Sequence, residues 1–188
     1  YLDVRVALNK AGDGLELIHA FGTCRTGAAV WSKALTYDDV VADAMAFLDA
    51  HPRETVIFCV KPERPGDDAD AVRALLEAKV AQTPDRWFTE NRIPTLGEVR
   101  GKIVLCSRFT REPGFGLLLD WSEQNNREPA DDPVEVAALP GEWESGGALY
   151  VQDRYKYAPD DKIQAVADML GRTAERCASA TSLCLNFT

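Results

Sequence analysis

The 188-residue sequence lacks any apolar run long enough to cross a bilayer. Its longer hydrophobic stretches, such as those at residues 55–60 and 103–106, are strand-sized, against the roughly 20 residues a membrane helix needs. It also lacks an excess of positive charge: 30 Asp and Glu against 21 Lys and Arg give a formal net charge of −9. That balance argues against a nucleic-acid partner and against adhesion of the whole surface to an anionic membrane. Low-complexity tracts and internal repeats are absent, which excludes solenoids and long linkers. The five cysteines, Cys24, Cys59, Cys106, Cys177 and Cys184, contain no CxxC pair and no zinc spacing. Cys59 and Cys106 lie in apolar runs and read as small core residues. Cys177 and Cys184 are a candidate pair, and the redox compartment stays open. An initiator Met and a leader are missing too. Tyr1-Leu2-Asp3-Val4-Arg5-Val6 reads as mid-strand, as expected of a segment excised from a longer chain.

What is present is one domain's worth of chain in which strand and helix patterns alternate. Residues 2–8 and 15–19 are strand-like, joined by a turn at Lys10-Ala11-Gly12-Asp13-Gly14. Thr36-Tyr37-Asp38-Asp39 predicts a capping box for a helix to about residue 50, with Val40, Val41, Ala44, Phe47 and Leu48 inward. Residues 55–61 form a buried strand by β-branched content, and 67–81 a helix with Val72, Leu75, Leu76 and Val80 in register. Thr95-Leu96-Gly97-Glu98 caps a single turn before a strand at 102–107. Residues 109–147, rich in Gly, Pro and Glu, read as a long functional excursion. Then come a strand at 149–152, a helix at 160–178 with Ile163, Val166, Ala167, Leu170 and Ala174 inward, and a last strand at 182–187. Repeated strand–helix–strand units imply an α/β fold with a mainly parallel sheet. Periodicity does not choose between an open sheet and most of a barrel.

Charged residues collect where these strands finish, the rim at which parallel α/β folds bind ligands. His19, Lys61 and Arg108 each close a strand, and Asp153 and Tyr155 follow one. Asp3 and Arg5, two apart, face the same way. Singly, each has a structural explanation. Asp3 with Arg5 can be an internal ion pair, Lys61 a snorkelling cation, Arg108 a surface cation, His19 a half-buried imidazole, Tyr155 packing. His51, beside Pro52, reads as a helix-end residue. Jointly they outline a phosphate-and-hydroxyl site: Arg and Lys for an anion, Asp for sugar hydroxyls, an aromatic face for a ring.

With Tyr1-Leu2-Asp3-Val4-Arg5, His19 and the stretch from His51-Pro52-Arg53-Glu54-Thr55 to Lys61, the chain resembles the bacterial phosphatidylinositol-specific phospholipases C. Pro94-Thr95-Leu96-Gly97-Glu98-Val99-Arg100-Gly101-Lys102 up to Arg108, Val151-Gln152-Asp153-Arg154-Tyr155 and Leu185-Asn186-Phe187-Thr188 continue the match in order. The resemblance implies a distorted (β/α)8 TIM barrel, here incomplete, about strands two to seven, as a single catalytic domain over residues 1–188. It implies metal-independent attack of an inositol 2-hydroxyl on phosphorus, giving diacylglycerol and inositol 1,2-cyclic phosphate. By the same resemblance His19 is the general acid, Arg5 stabilises the phosphorane-like transition state and Asp3 orients them. Lys61, Arg108 and Asp153 bind inositol hydroxyls, and Tyr155 stacks under the ring. No cofactor or metal is implied. The implied partner is phosphatidylinositol or a glycosylated form at a membrane surface, and the implied protein is secreted and monomeric, without a transmembrane segment and without nucleic acid.

Departures matter. Ala20 stands where the family has Gly after the His. The catalytic base, a second His, and its carboxylate helpers match nothing in these residues, so this stretch alone is expected to be inactive. The family's membrane-inserting aromatics are also unmatched; Trp31 and Trp121 are candidate substitutes, with ordinary packing as their structural explanation. Two other readings stay open: a non-catalytic inositol-phosphate or lipid-binding module, and a metal-dependent glycerophosphodiester phosphodiesterase-like hydrolase.

Overall fold

Strand β1 (Leu2–Leu8) sends Val4 and Val6 to a buried face and Asp3 and Arg5 to the other, the two-residue alternation of a strand with one face in the core. Asn9 closes the turn that follows: its side-chain oxygen accepts the Gly12 and Asp13 N–H groups at 2.7 and 3.1 Å. The chain returns as β2 (Leu15–His19), antiparallel to β1 with Val6 opposite Leu17. A two-residue turn then leads into β3 (Gly22–Thr23), paired with β2 through His19 and Gly22. Helix α1 (Tyr37–Ala50) starts at the expected capping box, Thr36 with Asp39, and ends at His51. The structure is a computed structural model that describes residues 1–29, 31–108, 115–137, 147–176 and 181–188.

The remaining elements are β4 (Val56–Pro62), α2 (Ala69–Gln82), β5 (Trp87–Phe88), α3 (Leu96–Val99), β6 (Ile103–Ser107), β7 (Leu117–Leu118), β8 (Glu135–Ala137), β9 (Leu149–Gln152), α4 (Pro159–Arg176) and β10 (Leu183–Asn186). They fall into two compact units, Tyr1–Glu90 with Pro94–Leu118, and Asn91–Ile93 with Leu119–Thr188.

In the first unit the strand order is β3-β2-β1-β4-β6-β5, with β7 beside β6 as well. From β1 onward the pairing is parallel; β2 and β3 are antiparallel additions. Val4, Val6, Phe58, Val60, Ile103 and Leu105 face the helices and pack with Val41, Leu48, Val72 and Leu76. Gly116, at φ +85°, lets the chain enter β7, because a Cβ there would meet the Leu105 carbonyl oxygen at 2.7 Å. The second unit carries a three-stranded sheet, β10-β9-β8, in which β9 and β10 are parallel.

Three expectations need correction. His19 does not end a parallel strand: β2 runs against β1. Phe47 is half exposed and lies against His51, ring centres 4.8 Å apart and tilted by 42°, and α1 buries Tyr37 in its place. On α4 the buried positions are Ala165 and Met169, while Ile163 and Leu170 are exposed. Polar tethers set that rotation, Lys162 Nζ reaching Gln152 Oε1 at 2.8 Å and Asn186 Nδ2 reaching the Val166 carbonyl at 3.1 Å. The described strands form two sheets and no closed barrel. Of the excursion at 109–147, residues 115–137 and 147 are described and carry β7 and β8; the rest lies outside the described residues. Cys184 is disulfide-bonded, and Cys24, Cys59 and Cys106 are free. Cys177, its expected partner, lies outside the described residues.

Candidate active site

Parallel pairing explains how separated polar residues meet in the first unit. Asp3 registers with Cys59 and Arg5 with Lys61, while Cys59 registers with Cys106 and Val60 with Ser107. In-register residues on adjacent strands point the same way, so Asp3, Arg5 and Lys61 share the face turned from the helices. Arg108 follows β6 at that level, its N–H donating to the Val60 carbonyl at 3.0 Å. Asp3 grips Arg5 with both oxygens, Nε at 2.8 Å and Nη2 at 2.7 Å. This bidentate hydrogen bond is what chiefly holds the guanidinium more firmly charged than usual, against the opposing pull of burial. A groove of about 280 Å³ is lined by Asp3, Arg5 and His19 with Leu2, Leu17 and Leu35.

The antiparallel hairpin, rather than a strand end, delivers His19 to this place. β1 rises past the parallel sheet and β2 brings the chain back down, so His19 returns toward the level of Asp3 and Arg5, although along β2 it alternates in step with the core residues Leu15 and Leu17. Ala20 follows with φ +53°, in the left-handed region that this turn position normally reserves for Gly. The departure noted in the sequence is therefore a real strain on this backbone. Glu63, unremarked in the sequence, offsets it. One oxygen accepts the Ala20 N–H at 3.0 Å; the other, buried without a hydrogen bond, faces Arg5 Nη1 at 4.0 Å. Its signal was available, because Glu63 lies two residues beyond Lys61 and so shares its face.

Cys59 and Cys106 line the same face deeper down, fully buried. Burial pushes the Cys59 thiol up to about 11 and Cys106 well above its ordinary value, so both stay protonated at neutral pH.

Asp153 and Tyr155 belong to the second unit. Trp121 is buried there, its indole N–H donating to Asp153 Oδ2 at 3.1 Å, and its ring lies 5.8 Å from Phe187. It is thus a core residue that aims a carboxylate. The Asp153 N–H donates to Gln124 Oε1 at 2.8 Å. Tyr155 is 52% exposed, its hydroxyl donating to Glu123 at 2.7 Å, with Lys156 Nζ 5.8 Å from its ring centre. Gln152, fully buried, accepts from the Arg154 N–H and donates to Asn186 and the Phe187 carbonyl, which locks the segment carrying both residues.

No family model matches the chain. Over 164 residues it is 26% identical to the 1-phosphatidylinositol phosphodiesterase of Staphylococcus aureus strain Newman, covering 77% of this chain and 46% of that protein. Over 118 residues it is 31% identical to the 1-phosphatidylinositol phosphodiesterase of Listeria monocytogenes strain EGD-e, covering 60% and 33%. A solved mutant of the phosphatidylinositol-specific phospholipase C from Staphylococcus aureus superposes with TM-score 0.70 at 20% identity, over 98% of this chain and 57% of that one. The resemblance is to the bacterial phosphatidylinositol-specific phospholipases C. The fold shared with that phospholipase C is α/β, and the chain spans under half the length of the curated relatives it matches.

Proposed function

We propose that this chain is the central part of a bacterial-type phosphatidylinositol-specific phospholipase C. The observation that carries the reading is the Asp3–Arg5 pair, with His19 lining the same groove. In the reaction the inositol 2-hydroxyl attacks phosphorus, negative charge builds on the non-bridging oxygens, and the diacylglycerol oxygen leaves with a proton. Arg5, fixed in place by the two hydrogen bonds it donates to Asp3, meets that charge without reorganisation. His19, exposed at the end of β2, supplies the proton. Lys61 and Arg108 add cationic donors on the same unit, and the reading gives Asp153 and Tyr155 the role of headgroup ligands.

The same reading makes both units parts of one catalytic domain, strands two to seven of a distorted (β/α)8 barrel. It makes the parent protein secreted and monomeric. Of the two histidines in the sequence, His51 ends α1, so these residues supply one imidazole where two proton transfers are needed. For this stretch by itself, binding without turnover is the expected behaviour.

The test is phosphorus NMR of the intact protein acting on phosphatidylinositol. Inositol 1,2-cyclic phosphate should accumulate, and Arg5→Lys, which breaks the bidentate geometry, should slow it by about 10²–10³-fold. Release of a linear phosphate with no cyclic intermediate would remove the proposed chemistry.

A further inference from the structure

Helix α4 opens with a cation where a helix disfavours one. Its first turn carries Asp160 and Asp161, which suit the free N–H groups at a helix start, and then Lys162, which does not. The Lys162 N–H donates to the Ala158 carbonyl at 2.9 Å and closes that turn, so the side chain leaves the helix at its positive end. It does not run out into solvent. Lys162 is partly buried, and its Nζ donates to Gln152 Oε1 at 2.8 Å. Burial draws the ammonium below its ordinary range, and the Asp153 carboxylate pulls it back.

Gln152 is fully buried, and both ends of its amide are engaged. The nitrogen donates to Asn186 Oδ1 at 2.8 Å and to the Phe187 carbonyl at 2.9 Å. The oxygen accepts the Arg154 N–H at 2.9 Å together with Lys162. These bonds fix which way the amide faces, and Gln152 and Arg154 are the residues on either side of Asp153. The Asp153 N–H is held in turn by Gln124, and Oδ2 receives the Trp121 indole N–H. The backbone around Asp153 is therefore pinned, with the Lys162 charge near its carboxylate. A neighbouring cation favours the ionised form of a carboxylate, the form that accepts hydrogen bonds from hydroxyl groups.

We propose that Lys162 is a positioning residue for Asp153: through Gln152 and through its own charge it keeps that carboxylate ionised and aimed, and so sets how tightly a polyol headgroup is held. Lys162 acts through Asp153 and not on the ligand. The assignment of Asp153 to inositol hydroxyls rests on the phospholipase reading; the hold of Lys162 on Asp153 does not. Lys162→Met removes the charge and the donor while keeping an unbranched apolar stem. Gln152 Oε1 still accepts from Arg154 in that variant, so no buried acceptor is stranded and the fold persists.

The experiment is a double-mutant cycle in the intact protein, read by inhibition with myo-inositol on a soluble nitrophenyl ester of inositol phosphate. Lys162→Met should weaken inhibition about tenfold, with the loss falling on KM rather than kcat. Lys162→Arg, which keeps the charge and a donor, should stay within about threefold of the parent. In an Asp153→Ala background Lys162→Met should weaken inhibition by less than about twofold more, because the group it acts through is gone. A second readout needs no ligand: the Trp121 indole N–H signal in nitrogen–proton NMR, identified by its loss in Trp121→Phe. Because that N–H donates to Asp153, the signal should move in Lys162→Met and return in Lys162→Arg. Unchanged inhibition in Lys162→Met overturns the proposal, as does a full tenfold loss in the Asp153→Ala background, which would put Lys162 on the ligand itself. If myo-inositol fails to inhibit the parent, the phospholipase reading falls, and the indole signal decides the positioning alone: a shift restored by Arg upholds it, and an unmoved signal removes it.

Discussion

His19 separates proton transfer from binding. A general acid matters in proportion to the basicity of the leaving group. In the intact protein His19→Ala should therefore lose on the order of 10²–10⁴-fold in rate on phosphatidylinositol. An inositol phosphate ester of nitrophenol, whose phenolate departs unprotonated, should lose far less. His51→Ala, at a helix cap whose ring lies against Phe47, should change neither rate appreciably. Equal losses for His19→Ala on both substrates would assign the imidazole to binding. Asp153 divides differently, because its carboxylate also receives the Trp121 indole. Asp153→Ala removes a charge-assisted hydrogen bond worth about 1.5–3 kcal/mol and also strands a buried N–H. Asp153→Asn keeps an acceptor for Trp121 while removing the charge. Inhibition by myo-inositol should weaken in both variants, and the melting temperature should fall mainly in Asp153→Ala. Unchanged inhibition in both would place the headgroup elsewhere.

At the scale of elements, the hairpin β2–β3 is held against its own preference. A non-Gly residue in the left-handed region costs about 1–2 kcal/mol, and Ala20 sits there at φ +53°. Ala20→Gly removes that strain and returns about 0.5–1 kcal/mol of unfolded-chain entropy. The net expectation is a gain below about 1 kcal/mol, seen as a rise in melting temperature of a few degrees at most. A fall would show that the Ala20 methyl makes contacts outweighing its strain. The elements most legible in the sequence were those with chemistry at their ends. Both capping boxes, Thr36 with Asp39 and Thr95 with Glu98, stand where their residue types put them. β1, β4 and β6 were legible as strands, β4 from its β-branched content, and their register then delivered Asp3, Arg5 and Lys61 to one face. What the sequence hid was held by tertiary bonds. β3, β7 and β8 are two or three residues long, too short for a period to show. The face of α4 was misread because Lys162 and Asn186, both polar, decide its rotation. The direction of β2 was implicit in the short turn before it, which only an antiparallel pair can use.

For the whole molecule, the question is where the positive charge at phosphorus comes from. A divalent ion would need several hard oxygen ligands, and the nearest carboxylate, Asp3, already spends both of its oxygens on Arg5. Glu63, the next one, gives one oxygen to a backbone N–H and turns the other toward the same guanidinium. An ion placed there would have to displace Arg5 or sit against it, at a Coulombic cost that rises as water is excluded. The intact protein should accordingly keep its full rate on phosphatidylinositol after exhaustive dialysis against EDTA, and added calcium should not raise it. Arg5→Ala should be the variant in which a divalent ion changes behaviour, since it leaves Asp3 and Glu63 as two carboxylates without their cation. If EDTA abolished turnover in the parent and calcium restored it, the guanidinium would be a structural partner of Asp3, and the chemistry would belong to a metal-dependent phosphodiesterase.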